Sequence, residues 1–424
     1  MARRGLIIGI DYSDHAVLAS YYSYRHERAE SITLDNDTLR YVIPSVLCYD
    51  ESHREWLMGN DAIRYSEESG AELLSNFLEN ILDGKEFEFH GNSCTYTDAL
   101  AVFFGKLLDS IQLRTAVMRI ESITISVRGA DRKIKEALEK VFETLKIDVS
   151  KVRLLNEAES FAYYVICEDE ALWKNGAILM DFNRDGFFAK QLLFSAESGR
   201  SLVYVSEHEL LKGLDIDALV RESSRREYDL RLTKIYNELV LNGRYSSVFF
   251  TGEGFEEPWY EDTLSEISKT RRVFRGNNIY AMGACMAGFF KENAPSVELP
   301  IICEGRTKAD ICVEAFERGA LKRLVLSAAA VDWYDAGAYE EFILNEDMQV
   351  NIIISSFISG RETVIPLNVA EFADRPSKTR RVSIEVKYTN DTECTVKVSD
   401  LGFGDFYAPQ SKPIIVNINV EEYI

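Results

Sequence analysis

Histidine and paired cysteines are scarce in this sequence, which argues against two kinds of site. The 424 residues include only 5 histidines and 7 cysteines, and the cysteines are scattered without a CxxC pair. An odd number of cysteines set mostly in apolar runs is typical of buried free thiols in a reduced compartment. Zinc sites need clustered His and Cys ligands. The composition therefore argues against a disulfide framework and against zinc.

The sequence also lacks a basic cluster and a long apolar run. The formal net charge is −21, whereas nucleic acids and anionic membranes recruit patches of Lys and Arg. The first apolar run breaks at Asp11, too early for a signal peptide or a membrane span. We therefore expect a soluble, cytoplasmic protein whose partners are proteins or small ligands, with no nucleic acid and no membrane among them.

Strand and helix patterns alternate along the first two thirds of the chain. GLIIGID and AVLASYYSY predict a hairpin, and a helix pattern begins near Asp98. From ESITISV to GAILMDF, strands and helices then take turns. This rhythm predicts a largely parallel sheet flanked by helices.

Two segments of this region resemble each other. GLIIGIDYSDHAVLASYY and GAILMDFNRDGFFAKQLLF are each an apolar strand that reaches an aspartate, a polar turn and a second apolar strand. Such an echo favours a duplicated α/β domain with halves of about 1–175 and 176–293. Asp11 and Asp181 would then face each other across a cleft. The alternative is a coincidence between two hairpins of an ordinary α/β protein.

The pattern changes after residue 293. Residues 294–300 carry two prolines without a helical period and predict a linker. Residues 301–424 contain eight short segments with alternating polar and apolar residues. Segments of this kind predict an antiparallel β-sandwich.

The order of these motifs resembles the heat shock protein 70 (DnaK) family and the actin-like ATPases. GIDYSDHAVLASYY and ILMDFNRDGFFAKQLLF stand where that family has its two phosphate loops, and VFFTGEGF with IYAMGACMAG where it binds adenosine. The resemblance implies a duplicated actin-like ATPase (ribonuclease H-like) α/β domain over 1–293. It also implies that 301–424 is similar to the family's substrate-binding β-domain. Because the sequence shows no helix pattern after VNINVEEYI, we expect any peptide binding to occur without the family's helical lid.

The resemblance also implies a set of site residues and a cofactor, ATP or ADP with Mg²⁺. The catalytic positions are Asp11, Glu157 and Asp181, of which Asp11 and Asp181 would hold the magnesium ion. The nucleotide-binding positions are Ser13, Asn183, Arg184, Gly186, Gly252, Gly254 and Gly283.

Several of these positions depart from what phosphate binding needs. Asn183, Arg184 and Asp185 replace glycines that let backbone N–H groups approach phosphate, and Asp14 would bring a negative charge toward it. The family's catalytic lysine has no match, because Lys85 comes several positions late. The family's adenine-closing subdomain also has no match. Each position has an ordinary alternative: NRDG as a hairpin turn, Glu157 as a first-turn acid, and the glycines as packing residues.

Two functions follow from the resemblance. The favoured one is a degenerate, weak or inactive ATPase that works as a protein- or peptide-binding module, so that enzymatic activity is not expected. The other is an active, ATP-switched chaperone-like protein that binds polypeptides through the C-terminal β-domain. A sugar or acetate-type kinase shares the hairpins but does not account for the sandwich.

Overall fold

A computed structural model describes most of the chain. The described residues are 5–33, 41–197, 200–209, 216–241, 243–293, 300–344, 349–372, 376, 378–409 and 412–423. They divide into two compact units. Unit 1 consists of Met1–Phe194 with Val205–Glu298, and unit 2 of Ser195–Tyr204 with Leu299–Ile424.

The first half of unit 1 begins with strands and ends with a helix. Its strands are β1 (Leu6–Tyr12), β2 (Ala16–Ser23), β3 (Arg28–Ser31), β4 (Ile43–Pro44), β5 (Leu47–Asp50), β6 (Glu55–Met58), β7 (Leu73–Leu74), β8 (Glu86–Phe89), β9 (Asn92–Thr95), β10 (Ile120–Val127) and β11 (Val152–Asn156). Its helices are α1 (Asn60–Ser69), α2 (Phe77–Leu82), α3 (Tyr96–Thr115), α4 (Arg132–Thr144) and α5 (Glu157–Ile166).

The second half repeats the main elements of the first. Its strands are β12 (Ala177–Asn183), β13 (Gly186–Glu197), β14 (Arg200–Glu209), β15 (Ser247–Thr251) and β16 (Arg272–Arg275), and its helices are α6 (Glu222–Val240), α7 (Glu261–Ser268) and α8 (Ile279–Asn293). In the second half three strands are followed by the order helix, strand, helix, strand, helix. The first half has the same order in β1–β3 and from α3 to α5, with β4–β9, α1 and α2 inserted between them.

The two main sheets have the same strand order. The first runs β11-β10-β1-β2-β3, with β4 beside β2, and five of the six strands of the second run β16-β15-β12-β13-β14. In each, the first strand of the half lies between an antiparallel hairpin partner and a parallel neighbour. The prediction of a largely parallel sheet was therefore wrong. A hairpin at the start of each half fixes one side as antiparallel, because a short turn cannot return a chain in the same direction.

Helices α5 and α8 pack closely against each other where Gly283 meets Ser160. A Cβ atom on Gly283 of α8 would lie 1.8 Å from the carbonyl oxygen of Ser160 on α5. A Cβ on Gly9 of β1 would lie 2.1 Å from the carbonyl oxygen of Ala281. Both glycines allow backbones to approach at distances that no other residue permits. The contact brings the first turn of α5 close to the start of α8.

Unit 2 contains two four-stranded antiparallel sheets. Its strands are β17 (Ile301–Ile302), β18 (Ala309–Glu317), β19 (Ala320–Ser327), β20 (Ala338–Leu344), β21 (Gln349–Ser356), β22 (Glu362–Asn368), β23 (Arg380–Tyr388), β24 (Glu393–Gly402) and β25 (Ile414–Asn419). The sheets run β19-β18-β21-β22 and β20-β23-β24-β25. One apolar cluster takes residues from both sheets, including Ile352 and Ile384. The eight predicted strands thus form antiparallel sheets, because alternating segments bury one face each.

Two helix boundaries differ from the sequence prediction. Helix α3 begins earlier, and its N-cap is Thr95. The Thr95 side chain accepts from the backbone N–H of Asp98, and the Asp98 carboxylate accepts from the backbone N–H of Thr95. Asp98 is therefore the third residue of a capping box. Helix α5 ends at Ile166 instead of continuing to Leu172, where a short 3-10 turn lies.

Part of one predicted segment, residues 294–299 of the linker, lies outside the described residues. Among the described residues, no helix is both long and apolar enough to cross a membrane.

Candidate functional site

Three strands of unit 1 end at polar residues that meet in one cleft. Asp11 lies near the end of β1, Asp181 near the end of β12, and Thr251 is the last residue of β15. Asp181 and Thr251 are direct neighbours across parallel strands, so their side chains leave the sheet on the same face. Carboxyl ends of strands are where ligands of open α/β sheets bind.

The cleft contains most of the residues predicted from the sequence. The cleft opens to solvent, and its empty space including the solvent-filled mouth amounts to about 640 Å³. Seven predicted residues line it: Asp11, Ser13, Glu157, Asp181, Asn183, Arg184 and Gly252. The other three, Gly186, Gly254 and Gly283, do not belong to this lining.

Arg128 joins two of the predicted acidic residues. Its guanidinium donates to a carboxylate oxygen of Glu157 at 3.0 and 2.8 Å, and to a carboxylate oxygen of Asp181 at 2.8 Å. The same guanidinium lies 3.9 Å from the ring centre of Phe188. Arg128 follows directly after β10, so the parallel strand next to β1 delivers a cation to the cleft. Asp181 and Glu157 thus have a protein cation between them.

Lys190 is a second buried cation beside this pair. Its side chain is fully buried, and its ammonium lies 3.2 Å from carboxylate oxygens of both Glu157 and Glu207. Tyr280 donates its hydroxyl to Asp181 at 2.9 Å. Sequence reasoning missed Arg128, Lys190, Glu207 and Tyr280. The available signals were a lone lysine inside the apolar strand FFAKQLLF and an arginine directly after ITISV.

The ion pairs shift the pKa of each partner. Burial alone would raise the pKa of Glu157, but the charges of Lys190 and Arg128 outweigh it and hold the pKa below the usual range. Burial and the charge of Glu157 raise the pKa of Asp181 to about 6. Burial acts to lower the pKa of Lys190, and the charges of Glu157 and Glu207 reverse this. Lys190 is therefore an ammonium ion and Glu157 a carboxylate at neutral pH.

Asp11 differs from the other acidic residues of the cleft. Its carboxyl group has neither a hydrogen bond nor an ion pair with any residue that the structure describes. Burial, followed by the charges of Glu157 and Asp181, raises the pKa of Asp11 well above that of a free aspartate. Arg128 and Lys190 act in the opposite sense without cancelling this shift. Asp11 is thus the carboxyl group whose charge the surrounding side chains compensate least.

The hairpin turns at the mouth are held by their own side chains. The Ser13 hydroxyl exchanges hydrogen bonds with the backbone of Ala16 at 3.1 Å. Asn183 donates to Asp181 at 3.0 Å and accepts from the N–H of Asp185 at 2.9 Å. Asp14, which the resemblance would bring toward phosphate, accepts from the backbone N–H groups of Leu78 and Glu79 at the start of α2.

Charged residues of the two turns pair with each other or with neighbours. His15 lies 3.8 Å from a carboxylate oxygen of Asp185, which links the first turn to the second. Arg184 lies 3.1 Å from a carboxylate oxygen of Glu253. Arg184, which the resemblance would assign to phosphate, is therefore already compensated by a carboxylate.

The predicted glycines have packing partners. A Cβ on Gly252 would lie 2.2 Å from the carbonyl oxygen of Phe182, and φ at Gly252 is +95°. A Cβ on Gly254 would lie 2.3 Å from the Phe182 ring. Gly186 closes the β12–β13 hairpin at φ +141° and pairs with Asn183. Close packing and turn geometry are sufficient reasons for these glycines.

The hydrogen-bond donors and charges around Asp181 disfavour a magnesium site at this carboxylate. One oxygen of Asp181 accepts from Asn183, and the other accepts from Arg128 and Tyr280. A magnesium ion would have to displace these donors, and it would lie beside the guanidinium of Arg128. Lys85 is exposed and bonds to Asn80 and Asp83. Among the described residues no group of three or more His, Cys, Asp or Glu side chains is arranged to hold a metal ion.

Comparison with protein families assigns most of the chain. Residues 28–304 match the model described as "Family of unknown function (DUF5716) C-terminal", which is more than half of the sequence. The chain belongs to this family. Residues 306–420 match a second model, "Domain of unknown function (DUF8552)". The two matches meet between residues 304 and 306, close to the position where the main part of unit 2 begins. No curated protein matches the sequence.

Proposed function

We propose that this protein is a divergent relative of the DnaK-like and actin-like ATPases whose cleft no longer binds Mg·ATP and which acts as a protein- or peptide-binding module. The matching order of the main elements and of five strands in each main sheet supports a duplicated actin-like fold. The antiparallel sheets of unit 2 are compatible with a β-domain of the kind that binds polypeptide in that family.

The bridge made by Arg128 carries the proposal. Magnesium-dependent phosphoryl transfer needs carboxylates that are free to hold the metal and cations placed against the phosphates. Here the guanidinium of Arg128 lies between Glu157 and Asp181 at hydrogen-bond distance from both. The guanidinium of Arg128 thus balances the negative charge of both carboxylates. The pairing of Arg184 with Glu253 supports the same conclusion.

Thermal melting in the presence of nucleotide tests the loss of Mg·ATP binding. A ligand at 100 times its Kd stabilises a protein by about 2.7 kcal/mol, which shifts the melting temperature by several degrees. We expect no shift with Mg·ATP or Mg·ADP at millimolar concentration. A shift that disappears in Asp181→Ala would support the ATP-switched alternative instead.

The outer face of one sheet of unit 2 supports the binding of a polypeptide. Phe316 on β18 pairs with Leu321 on β19, and both side chains are exposed. Val325 of β19 and Val364 of β22 are also exposed, 52% each, at the two ends of a row that crosses the sheet. Within this row they flank Cys312 and Ile353. Exposed apolar patches on an otherwise charged surface mark interaction sites.

The other sheet supplies the control. Ion pairs lie on the outer faces of both sheets, Arg323–Glu362 on the first and Arg381–Glu341 with Lys397–Glu385 on the second. We expect Val325→Asp with Val364→Asp to abolish binding of a fluorescent unfolded polypeptide in an anisotropy titration. Ile415→Asp is the matched control, because Ile415 is 56% exposed on that other sheet. Equal loss in the control, or full binding by the double variant, would reject this face as the binding surface.

A further inference from the structure

The cleft of unit 1 has more carboxylates than cations. Its lining includes the acids Asp11, Glu157, Asp181, Asp185 and Glu253. The cations in contact with these acids are Arg128, Lys190 and Arg184, and Lys190 also faces Glu207. A surplus of negative charge in a partly enclosed site repels phosphate groups and attracts cations.

Two polar groups of the cleft have no partner among the described residues. Thr251 is only 2% exposed and lines the cleft, and no residue of the described chain accepts from or donates to its hydroxyl. The carboxyl group of Asp11 is the second. Asp11 is partly exposed to the cleft, so both groups can form hydrogen bonds with a ligand that enters it.

The occupied oxygens favour an organic cation over a metal ion. Both oxygens of Asp181 already accept, from Arg128, Tyr280 and Asn183, and one oxygen of Glu157, Oε2, accepts from Arg128 and Lys190. Divalent metal ions need several free oxygen ligands. An ammonium group needs only three acceptors, and the carboxylate of Asp11 with the hydroxyl of Thr251 supplies two of them.

Part of the wall of the cleft is apolar. Ala16, Leu18 and Val42 line it together with the acidic residues. A ligand that fits both surfaces has a cationic head and a short hydrocarbon chain. We propose that the cleft binds an aliphatic primary amine, with its ammonium group on Asp11 and Thr251 and its chain along Ala16, Leu18 and Val42. This inference rests on the proposed function, in which Mg·ATP is not the ligand.

Binding of an amine should be coupled to the protonation of Asp11. Its pKa is raised by burial and by Glu157 and Asp181, so Asp11 keeps its proton to a higher pH than a free aspartate does. Besides these two acids, the charged groups that face Asp11 are Arg128 and Lys190. An ammonium ion needs the carboxylate form. Affinity should therefore rise with pH, and binding should release protons from Asp11.

Isothermal titration of the full chain with putrescine (1,4-diaminobutane) tests the proposal. We expect saturable binding that Asp11→Asn weakens by about ten- to a hundredfold, since a charge-assisted hydrogen bond is lost. Thr251→Val should weaken it by about three- to tenfold through loss of one neutral hydrogen bond. 1,4-Butanediol, which has the same chain without charge, should not bind. Asp61→Asn is the surface control and should bind putrescine like the wild type.

Four outcomes would overturn the inference. They are no binding of putrescine at about 10 mM, equal binding by Asp11→Asn and the wild type, unaltered affinity in Thr251→Val, and binding of butanediol as tight as that of putrescine. The second outcome would identify general attraction to the acidic surface, and the Thr251 variant keeps the test valid if Asp11→Asn does not fold. Binding of Mg·ATP in the same instrument would overturn both this inference and the proposed function. Absence of putrescine binding without ATP binding would overturn this inference alone.

Discussion

At the scale of single residues, Arg128 contacts two buried carboxylates at once. The side chain of Asp181 is 1% exposed and that of Glu157 is 10% exposed. Removal of one partner from a buried ionic group leaves a charge without compensation, which costs more than the pair itself contributes. The stability of unit 1 should therefore depend on this arginine.

Arg128→Met should lower the free energy of unfolding by about 3 kcal/mol, because Asp181 and Glu157 lose their shared cation. Urea denaturation followed by circular dichroism measures the loss. Arg184→Met is the matched control, since Arg184 is half exposed and pairs with Glu253 at the mouth. Its effect should stay within about 1 kcal/mol. Equal effects in the two variants would contradict the role assigned to Arg128.

The raised pKa of Asp11 leads to a second prediction, which concerns the pH dependence of stability. Its pKa in the folded protein lies well above that of the unfolded chain, which is about 3.9. The folded state therefore binds the proton more tightly, and stability falls as pH rises above about 4. Asn cannot ionise, so Asp11→Asn avoids this loss. We expect the variant to match the wild type at about pH 4 and to exceed its stability at about pH 7.

Urea titrations of both proteins at the two pH values measure this difference. Asp61→Asn is the control, because Asp61 is exposed on α1 and pairs with Arg64 of the same helix. Its difference from the wild type should remain within about 0.5 kcal/mol at each pH. A gap between Asp11→Asn and the wild type that shrinks toward neutral pH would refute the assigned direction.

At the scale of elements, the contact between α5 and α8 positions the cleft. Glu157 is the first residue of α5, and Tyr280 lies in the first turn of α8. Both reach the cleft because the helices cross closely at Gly283 and Ser160. The helix contact and the charge network are therefore parts of one arrangement.

Gly283→Ala should separate these two helices. The new methyl group would lie 1.8 Å from the carbonyl oxygen of Ser160, so a backbone shift costing about 2–3 kcal/mol is expected. Gly276→Ala is the control, because nothing lies within 4 Å of its Cβ position. Thermal and urea unfolding compare the two variants. If Gly283→Ala proves as stable as Gly276→Ala, the close approach is not required.

At the scale of the whole molecule, the net charge of −21 dominates the electrostatics. Self-repulsion of a highly charged chain opposes the compact state, and salt screens it over a distance of about 10 Å at 0.1 M. The buried pairs of Arg128 and Lys190 are shielded from solvent and are screened much less.

The melting temperature should consequently rise by a few degrees between about 20 mM and about 300 mM NaCl. Scanning fluorimetry measures the shift. Sucrose at the same osmolality is the control that separates charge screening from exclusion of the solute. A melting temperature that falls with added NaCl would show that attractive surface pairs outweigh the repulsion.

The antiparallel strands of residues 301–424 were predictable, because alternation in eight short segments determines which face is buried. The gathering of Asp11, Glu157 and Asp181 in one cleft also follows a pattern visible in the sequence, in which each lies at a strand end or helix start. The cap of α3 was misplaced by three residues, since Thr95 and Asp98 both have capping side chains. Local patterns thus located the elements and the candidate acids.

The sequence by itself determined the strand and helix segments and the surplus of acid, because periodicity and composition are local or additive properties. Only the tertiary structure decided how that acid is compensated. Arg128 lies 29 residues from Glu157 and 53 from Asp181 along the chain, and Lys190 reaches Glu157 across 33 residues. Such pairs depend on strand register and on the crossing of α5 and α8, and these arise from packing over the whole of unit 1. For the same reason Asp11, one acid among many in the sequence, becomes the carboxyl group without a partner only in the folded protein.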